Sequence, residues 1–136
     1  MKASEAMVRD PHVAVAGAMA SEVAIMLKSR NISVVPVVDD HRTRRFLGTL
    51  SDRDLVTRCL AEGKHPWHTR ADELMRTRSA VIKGDQELTG YRVRMDLDPS
   101  DSHLRPTITV LDGEGQVIGF ISHPEQIEGV EIVWGG

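Results

Sequence analysis

The residues best placed to do chemistry are Gly48, Ser51 and Asp54, a Gly-x-x-Ser-x-x-Asp run that also contains Arg53. Ser51 follows the apolar stretch Phe46 to Leu50 and precedes Leu55, Val56, Cys59 and Leu60, which read as one face of a helix stopped by Gly63. A serine at that junction caps the helix. The free backbone N–H groups and the helix dipole there favour an anion such as a phosphate, and the hydroxyl adds a donor. One turn in, the Asp54 carboxylate can accept hydrogen bonds from a pair of sugar hydroxyls. Gly48, lacking a side chain, allows close backbone approach, and Arg53 adds a cation. The same Ser-x-x-Asp spacing is also a capping-box pattern that stabilises a helix start with no ligand. In that role Asp54 is expected to contribute under about 1 kcal/mol. The two roles are not exclusive.

The elements that carry these residues follow from the flanking sequence. Ser21 reads as an N-cap, with Val23, Met26, Leu27 and Arg30 on helical spacing and Asn31 as a left-handed stop. Val34 to Val38 is a continuous apolar run, as in a buried strand. Asp39-Asp40 starts a turn that the basic stretch His41-Arg42-Thr43-Arg44-Arg45 extends, and Phe46 to Leu50 returns as a second strand. The order is helix, strand, strand, helix. The sequence then echoes itself at an offset of about seventy residues. Ser4-Glu5-Ala6-Met7 recurs as Asp72-Glu73-Leu74-Met75, Val37-Val38-Asp39 as Val110-Leu111-Asp112, and Phe46 to Ser51 as Val117 to Ser122. In the second half, Thr107 to Leu111 and Gln116 to Ile121 predict a hairpin around Asp112-Gly113-Glu114-Gly115. The repeat demands a helix at 89–97, yet Tyr91, Val93, Met95 and Leu97 alternate with charged residues, and the balance leans to a strand. Asp98 to Ser102 reads as a turn-rich loop, and Val130 to Trp134 as a last strand.

The chain has 136 residues, 40% hydrophobic and 27% charged, which is ordinary globular usage. A net charge of −3 argues against general affinity for DNA or anionic lipid. No apolar run approaches a membrane span and the first residues lack a signal peptide, so a cytoplasmic location is expected. Cys59 excludes an intramolecular disulfide and reads as a buried small hydrophobe. His65-Pro66-Trp67-His68 reads as an ordinary loop rather than a metal site. The run Arg42 to Arg45 reads as a solvated loop. No nucleophile–base pair is visible, so no catalytic residue is assigned and the chain is not expected to be an enzyme.

Met7 to Pro11, Asn31 to Asp39 and Gly48 to Leu55, three motifs in order, resemble one repeat of the CBS domain, the regulatory repeat named after cystathionine β-synthase. The resemblance is good over residues 1 to about 75; beyond Met75 only the hairpin ending in Gly119-Phe120-Ile121-Ser122 matches. It implies an α/β fold of tandem CBS repeats, 1–70 and a degenerate 71–136, packed as a pseudo-symmetric pair. It implies an adenine nucleotide (AMP, ADP or ATP) as regulatory ligand with no required cofactor, contacted by Ser51 and Asp54. Beside it, Val34 and Val35 are expected to cover one adenine face, with Val13 as the opposite wall, Gly48 to allow close backbone approach and Arg53 to stand near any phosphate. A weaker second site is expected at Ser122 and Glu125, where Pro124 removes one N–H donor. Such modules resemble regulatory, signal-transducing domains that form homodimers and act on a partner protein. Here Val23, Met26, Leu27 and Leu55 are expected to leave apolar surface for the dimer. The alternative is a ligand-free interaction or stress-response protein acting through dimerisation.

Overall fold

The computed structural model describes residues 1–95 and 105–134. The first half runs α1 (Ala3–Ala6), β1 (Val8–Arg9), β2 (Ala14–Val15), α2 (Ala20–Arg30), β3 (Val34–Val38), β4 (Phe46–Ser51) and α3 (Asp52–Asp54), continued by a π-helical stretch at Leu55–Leu60. The second runs α4 (Ala71–Leu74), β5 (Val81–Lys83), β6 (Arg92–Met95), β7 (Ile108–Leu111), β8 (Val117–Ile121), a 3-10 turn at Pro124–Gln126, and β9 (Glu131–Trp134). The fold is α/β.

One hairpin is built twice. β3 pairs antiparallel with β4, and β7 with β8, and each ladder slips at the same place, between Val37 and Val38 and between Val110 and Leu111. The aspartate echoed after each first strand holds the turn. The Asp39 carboxylate accepts the amides of Asp40 and Arg45 and the Thr43 hydroxyl; the Asp112 carboxylate accepts the amides of Glu114 and Gln116. The Thr43 hydroxyl, aided by those amides, holds Asp39 below the usual carboxylate range. A short parallel strand flanks each hairpin, β2 on β3 and β5 on β7.

Two compact units result, His12–Thr77 on one side and Met1–Pro11 with Arg78–Gly136 on the other. In the first, Val23 and Leu27 of α2 pack with Val35, Val37, Leu50, Leu55 and Leu74. Asn31 ends α2 with φ 53°, the left-handed stop read from its type. Ser21 is not the cap: α2 begins at Ala20, with Met19 as N-cap and the Glu22 carboxylate accepting the Met19 amide. Pro36 is tolerated in β3 because its partner Thr49 turns both its amide and its carbonyl to Arg76 instead. After α3 the hydrogen bonds widen to five residues, as from the Ala61 amide to the Val56 carbonyl. Leu55 and Cys59 point inward while Val56 and Leu60 are exposed, which corrects the single apolar face expected of this helix.

In the second unit the sheet order is β1-β8-β7-β5, over a core that includes Ala3, Ile82, Leu88, Ile108, Val110 and Ile121. The strand reading at 89–97 holds over Arg92–Met95; Asp96 and Leu97, and the loop read at 98–102, lie outside the described residues. The reason is a partner: β6 pairs in parallel with β9, Val93 opposite Ile132. Where the first repeat sets α2 and the helix after β4, the second sets, among the described residues, this pair of strands.

The echoed N-terminal segments change places. α1 and β1 pack in the unit of the second hairpin, with Val8 opposite Phe120, while α4 and Arg76 pack in the unit of the first, with Arg76 opposite Thr49. Both helices start alike, Glu5 accepting the Lys2 amide and Glu73 the Arg70 amide.

Candidate functional site

Every residue of the Gly-x-x-Ser-x-x-Asp run lies at the end of β4 and the start of α3, in the unit of residues 12–77. The capping box is complete: the Asp54 amide donates to Ser51 Oγ at 3.1 Å and the Ser51 amide to Asp54 Oδ2 at 3.0 Å. The carboxylate is not an exposed cap, however. Asp54 is 1% exposed. Its Oδ1 accepts from Arg76 Nε at 2.8 Å, and Arg58 Nε lies 4.0 Å from the same oxygen. Arg58 Nη1 in turn donates to the carbonyls of Leu74 and Met75 at 3.0 and 3.1 Å. A buried charge is retained only when paired and hydrogen-bonded, and here an amide and a guanidinium do both.

Arg58 and Arg76 were not among the residues read as a site. Arg58 stands four residues after Asp54, a spacing that signals an ion pair in any helix. Arg76 carries no local signal, although its place follows from the echo, because it succeeds Met75 as Val8 succeeds Met7 and each meets the opposite hairpin.

The other expected residues separate. Ser51 and Arg53 are partly exposed beside Asp54, and Val34 offers part of its surface from the adjacent strand. Val35 does not: alternation along β3 turns it into the core, where it is fully buried, so the adenine wall read for it is closed in this structure. Val13 is buried as well. Gly48 meets chain rather than open space, because a Cβ there would lie 2.5 Å from the Arg76 carbonyl oxygen. Ser122 lies exposed in a bend, and Pro124–Gln126 is a 3-10 turn with no side-chain cap, so the second position lacks the helix start that the first has. Glu125 contacts His123, 3.3 Å away. In the histidine loop the Trp67 amide donates to His65 Nδ1, and no group of three or more His, Cys, Asp or Glu placed to hold a metal occurs among the described residues.

The family model of the CBS domain matches residues 3–61. The first half of the chain thus matches the CBS domain. No curated protein matches the chain. Among solved structures, the CBS domain fold extends over both halves. Hypoxic Response Protein I, solved with two coordinated zinc ions, is similar at TM-score 0.71 and 21% identity, over 90% of this chain and 92% of that one. A CBS domain-containing protein of unknown function from Bacillus anthracis gives TM-score 0.72 at 13% identity, over 90% and 86%. CBSX2 in complex with AMP gives 0.64 at 19%, over 89% of each. At these identities the likeness shows the fold alone. Among the described residues no helix is long and apolar enough to cross a membrane.

Proposed function

We propose that this chain is a regulatory, non-catalytic module that binds an adenine nucleotide at Ser51 and Asp54, with Arg53 and Val34 beside them. The observation that carries the reading is the Asp54 carboxylate, buried in an ion pair with Arg76 in the turn of helix after β4 although a buried ion pair is a poor source of stability. The AMP held by a protein of the same fold supports the ligand class. A ligand regulates only by binding two conformations unequally, so the partner protein reads that difference. With AMP, ADP or ATP at 100 times its dissociation constant, the chain is expected to gain about 2.7 kcal/mol of stability. Calorimetry and thermal shift at millimolar nucleotide check this; no heat and no shift with any of the three would end the binding reading.

A second reading, a ligand-free interaction module, is favoured by the same carboxylate, since both of its oxygens are already engaged. Under either reading we propose a homodimer. Val23, Leu27 and Leu55, first read as surplus, are used up in the core. Ile25, Val56 and Leu60 instead stand 56–58% exposed on two elements that pack together. Light scattering is expected to give about twice the 15.1 kDa chain mass, and Leu60→Asp to shift it toward the single chain. A single-chain mass across micromolar concentrations would rule the dimer out.

A further inference from the structure

We infer that Arg76 is a built-in competitor for the Asp54 carboxylate, a latch that must give way before a ligand's sugar hydroxyls are bound there; this rests on the nucleotide reading above. Asp54 Oδ2 is committed to the Ser51 amide, and Oδ1 receives Arg76 Nε at 2.8 Å. With Asp54 only 1% exposed, the guanidinium holds the oxygen that an incoming donor would need. Arg76 is tied to the same region through its backbone, its amide and carbonyl pairing with Thr49 on β4 at 2.8 and 2.9 Å. Arg58, 4.0 Å from Oδ1, fastens the carbonyls of Leu74 and Met75. One buried carboxylate therefore sits at the centre of the ties on residues 74–76, the last before the chain leaves this unit after Thr77.

The arrangement converts occupancy into slack. A hydroxyl pair on Asp54 displaces the Arg76 side chain and loosens the segment that leads to the second repeat. The fraction of molecules in which Arg76 holds Asp54 lowers the apparent affinity by that same fraction. Removing the competitor should therefore tighten binding even though it weakens the empty protein, the opposite of what loss of a merely structural contact does.

The test is calorimetric titration of AMP, ADP and ATP into the full chain and into Arg76→Met and Arg76→Lys. The Met variant keeps the stem and removes every donor. Should it fail to fold, the Lys variant keeps the charge and loses the Nε donor. A tightening of about tenfold or more is expected, corresponding to a latch closed in some nine molecules of ten. Unchanged or weaker binding in the variants, beside clear binding by the parent, overturns the latch and leaves the nucleotide reading intact. No binding by any of the three overturns both.

Discussion

Asp54→Asn is expected to lower the melting temperature of the ligand-free protein by about 6–12 °C, far more than an exposed cap would. The carboxylate accepts on both oxygens, from the Ser51 amide and from Arg76. An asparagine has one oxygen and one NH2, so whichever way it turns, one of those donors loses its acceptor. A lost hydrogen bond to a charged group costs about 1.5–3 kcal/mol, and breaking a buried pair about 3–5. Because the Arg76 side chain is 24% exposed and water can reach it, roughly 2–3 kcal/mol is the better expectation. For a chain of this size that is about 6–12 °C. Glu125→Gln, whose contact is an exposed histidine, should stay within about 0.5 kcal/mol of the parent. With nucleotide present, Asp54→Asn should also lose affinity about tenfold or more, since a charge-assisted acceptor is gone. A fall of under 2 °C without ligand, roughly the sub-kcal/mol contribution of an exposed cap, would show that the Arg76 contact contributes nothing.

Gly48→Ala should cost about 2–4 kcal/mol. Its new methyl would lie 2.5 Å from the Arg76 carbonyl oxygen and 3.2 Å from Met75 Sδ. The sulfur can swing aside, but the carbonyl is fixed by the Thr49 amide at 2.9 Å, so relief requires parting β4 from the Arg76 backbone. Gly113→Ala is the control, for its methyl would meet nothing within 4 Å. Urea unfolding of the two variants decides the matter; equal midpoints would mean that the close approach at Gly48 is not real. Gly119 faces the same demand from Met7, whose Cβ, Cγ and Sδ all lie within 2.8 Å of the missing methyl. The glycine of the motif is thus required by packing as well as by any ligand.

What the sequence made legible was what local chemistry decides. The left-handed Asn31, the strands on either side of Asp39, the hairpin around Asp112 and the capping box at Ser51 each depend on neighbours within a few residues. Two kinds of feature escaped. The inward and outward faces after Asp54 were misjudged at Val56 and Leu60, because apolar residue types alone do not say how wide a stripe of the helix its neighbours cover. The tie between Asp54 and Arg76 joins residues far apart in sequence, and only the correspondence of Arg76 with Val8 foreshadowed it. Val35 was misplaced for a simpler reason: a run of adjacent valines does not reveal which face of its strand is covered.

The exchanged segments also impose an order on synthesis. Everything in the unit of residues 12–77 has been made once Thr77 is added, so its core can close while the rest is still being translated. β1, by contrast, is made before that unit, yet its partner β8 ends at Ile121, about forty residues after Thr77. At roughly 5–20 residues per second the N-terminal segment waits some 2–9 s longer, with Val8 still lacking its strand. The second unit is thus made in two parts, on either side of the first.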